Sequence, residues 1–176
     1  VDRYRAFQRR PWSIHGGHLI LKQWNPELEW QEVDFSTSIM WVQVHSLPLL
    51  WNSEENLKQI GSLAGAVLEV DVVGAGGGVW KKFTRIKVEV DLSHPLLPGI
   101  FLPRSNLNDL WISLKYEKLA TFYYNCGIIG HDDSSCTGKT ALLRNPHGHY
   151  FKASGPWLRA ESEEIPPDVH IAPSPS

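Results

Sequence analysis

Between residues 39 and 48 the chain reads IMWVQVHSLP, with Met40, Val42 and Val44 on one side of an alternation and Trp41, Gln43 and His45 on the other. A two-residue period of this kind predicts a half-buried strand, and Pro48 ends it. Asn52 then stands three residues before Glu55, a capping-box-like start, and Leu57, Ile60 and Leu63 follow at helical spacing. This predicts one short amphipathic helix, weakened by Gly61 and stopped by a left-handed Gly65. AVLEVDVV (66–73) and FTRIKVEVDL (83–92) read as two more strands joined through GAGGGVWKK. LPGIFLPR and LWISLKYEKL add further β structure, with Ile112, Leu114 and Tyr116 pointing inward.

A strand, a helix and two strands in that order predict an α+β fold: a small ferredoxin-like (RRM-like) antiparallel sheet with one main helix. No second helix follows residue 92, because SHPLLPG is short and rich in Pro. Residues 36–120 form this sheet domain. Residues 1–35, with HLILKQW as a short apolar strand, read as the end of a unit that began upstream. Residues 121–137 form a degenerate zinc knuckle and 138–160 a basic segment. The Pro- and Ser-rich acidic tail, 161–176, is expected to be disordered. Because the chain starts at Val1 and its only Met is Met40, it reads as an interior fragment of a longer frame.

Of the 176 residues, 42% are hydrophobic and 20% charged, which suits a globular domain with a real core. No stretch approaches the ~20 apolar residues that would span a bilayer, so no membrane partner is expected. The composition points to an intracellular protein, nuclear or cytoplasmic. A net charge of −2 excludes a uniformly basic coat, but the charges are uneven. Lys139, Arg144, Lys152 and Arg159 follow one another with no acid among them, whereas Glu161, Glu163, Glu164 and Asp168 load the tail. Catalysis finds no support: GAGGGVWKK lacks the G-x-G-x-x-G spacing and a following helix, GKT lacks its upstream Gly, and no serine sits in an elbow. The protein is read as not an enzyme.

Three strands carry an aromatic and polar groups on the side away from their aliphatic rows: Trp41, Gln43 and His45; Phe83, Arg85 and Lys87; Trp111, Ser113 and Lys115. Two readings stay open. Unpaired bases could stack on the rings while Arg85 and Lys87 meet phosphates. Alternatively, Trp12, Trp24 and Trp30 cover the rings as a second core layer.

FYYNCGIIGHDDSSC, residues 122–136, carries the most specific signal. Zinc takes four soft or borderline ligands in a tetrahedron, and Cys126, His131 and Cys136 keep the spacing of C-x2-C-x4-H-x4-C. The first ligand is replaced by Tyr123, a harder group that binds metal well only as its phenolate. Cysteines ten positions apart with a histidine between them suit a reducing compartment and a metal, a Cys126–Cys136 disulfide being the alternative.

The stretches WVQVHSLPLLWNSEENLKQIGSLAGAVLEVD, FTRIKVEVDLSHPLLPGIFLP, WISLKYEKLATFYYNCGIIGHDDSSC and SGPWLRA resemble plant proteins that join DUF4283, a domain of unknown function, to a CX2CX4HX4C zinc knuckle. Such proteins are similar to the gag-like products of non-LTR retroelements. The resemblance covers about residues 5–160, with the N-terminal half of DUF4283 lacking. It implies zinc as cofactor, held by Cys126, His131 and Cys136, and single-stranded RNA or DNA as partner. Tyr124, Lys139 and Arg144 would make the contacts, with Arg85 and Lys87 secondary. A self-associating structural module and an inactive pseudogene product are the alternatives.

Overall fold

A computed structural model describes residues 2–72, 82–129, 136 and 138–170. The Gly-rich loop at 74–81, His131 and the last six residues of the tail lie outside the described residues. The N-terminal segment holds a short helix α1 (Asp2–Gln8) and a hairpin of β1 (Trp12–Ile14) and β2 (Gly17–Leu19). The helix was not foreseen from the sequence. The apolar strand expected over 18–24 shrinks to β2, turned back on β1 through His15 and Gly16, both with positive φ.

The alternating stretch forms β3 (Thr37–His45), followed by α2 (Glu54–Ala64), β4 (Ala66–Asp71), β5 (Phe83–Asp91), β6 (Gly99–Arg104) and β7 (Leu107–Tyr116). Among the described residues these strands build one five-stranded sheet in the order β4-β5-β3-β7-β6, every neighbouring pair antiparallel. Without β6, the order is that of a ferredoxin-like sheet. The α+β class with one main helix therefore holds, and β6 with the 92–98 loop replaces the second helix.

Two details of α2 differ from expectation. Ser53, not Asn52, caps it, its hydroxyl accepting from the Asn56 N–H at 3.3 Å. Gly65 ends it in extended rather than left-handed backbone (φ 162°), in a place where a Cβ would collide with the Glu89 carbonyl. Gly61 costs helix propensity but admits close approach, since a Cβ there would lie 2.8 Å from Val67 and 2.9 Å from Ile86.

Met40, Val42 and Val44 of β3, Ile86 and Val88 of β5, Ile112, Leu114 and Tyr116 of β7, and Leu57 and Ile60 of α2 form the main core. The Tyr116 hydroxyl donates to the Leu97 carbonyl at 3.0 Å, tying the 92–98 loop to the same face. Phe122, Ile129, Trp157 and Leu158 belong to that core as well. Residues 122–129 and the chain around Trp157 are thus packed into the body.

The opposite face is covered differently from expectation. Trp12, Trp24 and Trp30 are exposed, so the N-terminal tryptophans do not form a second layer. Cover comes instead from the C-terminal side: Phe151 and Val169 pack on Trp111. Lys115, 4% exposed, donates to the carbonyls of Ser162 (2.6 Å) and Glu164 (2.8 Å). Pro166 and Val169 are buried, so residues 161–170 of the acidic tail are a packed strap rather than the expected disordered chain.

Candidate metal and nucleic-acid site

From Leu119 to Ile129 the chain makes a tight turn in which buried and exposed positions have distinct jobs. Phe122 and Ile129 bridge antiparallel and face the core, while Tyr124 points outward at 42% exposure. Gly127 donates its N–H to the Tyr123 carbonyl at 2.9 Å, which closes the turn and brings position 123 back towards 126. Its φ of +75° lies where only glycine sits without strain. The Leu96 N–H donates to the Gly127 carbonyl at 3.3 Å, so the turn is also hydrogen-bonded to the 92–98 loop.

Cys126 is buried inside this turn and Cys136 is half-buried, with no disulfide between them. The two sulfurs lie within hydrogen-bonding reach of each other, and the Ile128 N–H points at the Cys126 sulfur. Burial pushes the Cys126 thiol above its usual pKa. A Cβ on Gly138 would lie 3.7 Å from both sulfurs, so small residues frame the pair. Such a sulfur pair, with an amide aimed at one member, fits a soft metal ion. His131 lies outside the described residues, and among the described residues no group of three His, Cys, Asp or Glu gathers as a metal set. Tyr123 is half-buried, at the position where the motif would carry its first sulfur.

Arg159 braces the turn from below. Its guanidinium sits 5.4 Å from the Phe122 ring centroid and donates to the Ala120 carbonyl at 3.2 Å and to the Leu119 carbonyl. Its Nε reaches the Tyr124 hydroxyl at 3.5 Å, and Phe122 and Tyr124 meet edge-on at 5.0 Å. Although the sequence grouped Arg159 with the basic stretch, its contacts make it a strut.

The basic stretch is a hairpin, β8 (Leu142–Arg144) with β9 (Tyr150–Lys152). Leu143 and Phe151 face inward, Phe151 reaching Trp111 at 5.7 Å between centroids. Leu142, Arg144, Tyr150 and Lys152 face outward, and Lys139 is exposed just before the hairpin. The hairpin's base is joined to the knuckle: the Ala141 N–H donates to the Asn125 carbonyl at 3.0 Å and the Thr140 hydroxyl to Asn125 Oδ1 at 2.6 Å. His147 and His149 sit at the tip, their amides donating to Asn145 Oδ1.

Arg85 and Lys87 lie on the strand face opposite α2, stacked over Trp41 at 4.7 and 5.3 Å. Both already face carboxylates, Arg85 those of Asp71 (2.8 Å) and Glu117 (3.7 Å) and Lys87 that of Glu69 (3.4 Å). A phosphate would have to displace an acid at each. The structure therefore brings Tyr124, Cys126, Cys136, Lys139 and Arg144 into one region and leaves Arg85 and Lys87 apart. Sequence reasoning missed the hairpin, although the alternation of LLR and YFK around Asn145-Pro146 and Gly148 carried the signal.

Asp91, Ser93 and His94 cluster at the end of β5 but do not form a catalytic triad. His94 Nδ1 meets both the Asp91 carboxylate (2.9 Å) and the Ser93 hydroxyl (3.0 Å), whereas a relay needs the two partners on different ring nitrogens.

The family model of the zinc knuckle matches residues 90–138. This span, under a third of the chain, is similar to a zinc knuckle. No curated protein and no solved structure matches the chain. The match begins at Val90, at the end of β5, and so takes in the loop and strands on which the knuckle turn is docked.

Proposed function

We propose that this chain is a non-enzymatic module that binds single-stranded nucleic acid through its zinc knuckle and the basic hairpin beside it. The observation carrying the reading is the knuckle match over 90–138, whose two sulfurs sit together beside the outward ring of Tyr124 and an acid-free run of cations. A bound zinc ion would cross-link the turn and neutralise its thiolates. Cys126 and Cys136, with His131, would hold it; Tyr123 offers no sulfur, so the ion would keep a weakened fourth position. The chain's own side chains do the recognising. Tyr124 offers an aromatic face to an unpaired base, and Lys139 and Arg144 meet phosphates, while Arg85 and Lys87 stay occupied by their acids.

The stretches that resemble plant DUF4283 and knuckle proteins favour a gag-like, retroelement-derived origin and an intracellular setting, with element RNA as the partner. A fluorescence polarisation titration of the zinc-loaded chain with a labelled 20-nucleotide single strand tests the binding. Two phosphate contacts give a log–log salt slope of at least about −1.4 in magnitude. Absence of salt-dependent binding would reject the reading.

A further inference from the structure

We infer that the outward face of the β8–β9 hairpin is a second contact surface for the same strand, with Tyr150 as its stacking ring and Lys152 as its phosphate clamp. This rests on the single-strand reading above and extends it beyond the knuckle.

Four observations carry it. First, the hairpin separates its side chains by face: Leu143 and Phe151 are spent on Trp111 and Phe101, which leaves Leu142, Arg144, Tyr150 and Lys152 in one outward patch. Tyr150, at 66% exposure, is a large ring held on a short two-stranded ribbon, and the body does not use it. Second, Arg144 and Tyr150 are direct cross-strand partners, and the guanidinium lies 6.0 Å from the ring centroid. Arg144 Nε also donates to the Gly148 carbonyl at 3.3 Å, which fixes the cation beside the ring rather than leaving it to wander. A planar cation set beside a planar ring suits a base stacked on the ring and its phosphate on the cation.

Third, from Cys136 to Ala160 the sequence holds Lys139, Arg144, Lys152 and Arg159 and neither Asp nor Glu. Arg159 being the strut of the knuckle, three cations are left to face a polyanion, without the acids that answer Arg85 and Lys87 on the sheet. Fourth, the hairpin is hydrogen-bonded to the knuckle at Asn125, the residue between Tyr124 and Cys126. The strand residues from Ala141 to Arg144 span about 10 Å. A strand leaving Tyr124 therefore has a second ring and two more cations within a few nucleotides. The occupant that fits is a flexible single strand, since it can offer an unpaired base and a phosphate together, whereas an acidic peptide offers charge without the stacking face.

The experiment uses the full chain with zinc, a fluorescein-labelled oligouridine 20-mer, and polarisation at several salt concentrations. Tyr150→Ala should weaken binding about fivefold or more and Tyr150→Phe should retain it, because the ring rather than the hydroxyl stacks. Lys152→Gln should make the salt slope shallower by about 0.7, one phosphate contact. Lys58→Gln, on α2 and paired with Glu54, should change neither. If the wild-type chain binds but the Tyr150 and Lys152 variants match it, the hairpin surface is refuted and the knuckle reading stands. If the wild-type chain does not bind, the knuckle reading itself fails and takes the hairpin with it. Competition by polyglutamate of equal charge as effective as that by unlabelled oligouridine would also refute the proposal, since the surface would then read charge alone.

Discussion

Gly127→Ala strikes the point where the knuckle turn, the 92–98 loop and the hairpin base meet. The residue's φ is +75°, and a methyl group there would run into the Ser154 hydroxyl, with Pro95 3.3 Å away. The left-handed backbone costs an L-residue about 1–2 kcal/mol. Overpacking against Ser154, itself 1% exposed, adds about 1–3 kcal/mol. The single substitution should therefore destabilise by about 2–5 kcal/mol, a large part of the ~5–15 kcal/mol that holds a domain of this size. Ser154→Ala separates the two costs. Its hydroxyl is buried and has no hydrogen-bond partner among the described residues, so removing it alone should be close to neutral. In the double variant the remaining contact is the Ser154 Cβ at 3.1 Å, which a small shift accommodates. Urea denaturation of all four chains closes the cycle: the double variant should regain the steric ~1–3 kcal/mol and keep only the backbone penalty. If Gly127→Ala unfolds at the wild-type midpoint, or Ser154→Ala brings no recovery, the docking described here is wrong.

Two further outcomes follow from other parts of the molecule. Tyr123→Cys supplies the absent sulfur; taking a quarter of the ~10–16 kcal/mol of a structural zinc site, it should tighten zinc by about 2.5–4 kcal/mol, or two to three decades in Kd. Chelator competition measures this, and equal affinity of the two chains would mean that position 123 is not part of the metal site. His18 accepts or donates at Ser38 Oγ (2.8 Å) through Nε2 and buries Nδ1 without a partner among the described residues; burial lowers its pKa below 6.5. Because the unfolded chain then binds the proton more readily, the contribution is complete above pH 6.5 and is lost as pH falls through the lowered value. His45, lowered by burial and then by Lys115, acts in the same sense. Urea midpoints should be flat from pH 8 to 7 and fall towards pH 5, with a smaller fall in His18→Gln; an unchanged slope in that variant would remove His18 from the account.

The sheet was legible because its strands obey a period of two: Met40, Val42 and Val44 bury, and so do Ile112, Leu114 and Tyr116, as the alternation demanded. Leu57 and Ile60 bury at helical spacing, while Leu63 is 61% exposed because it stands about 120° round the helix from Leu57, the sheet side there being taken by Gly61 and Ala64. The knuckle was legible in part: its spacing led to Cys126 and Cys136, which lie near each other, and to a span that a zinc-knuckle model matches, while His131 lies outside the described residues. What escaped was everything decided at long range. Nothing local says that Lys115 meets carbonyls at 162 and 164, and a Pro-rich acidic tail has the composition of a disordered one until Pro166 and Val169 find a surface. Aromatic residues pair well, which favours the N-terminal tryptophans as cover for Trp111; the cover comes instead from Phe151, on a hairpin whose local pattern does not say which surface it packs on.

Phe122 and Ile129 sit in the same core as Met40 and Leu57. A peptide spanning only 122–136 would leave that ring and that branched side chain without neighbours, so this knuckle is not a portable cassette. Grafts and truncations that treat it as one will forfeit its shape, and a usable boundary has to enclose the sheet, the loop after β5 and the chain through Leu158.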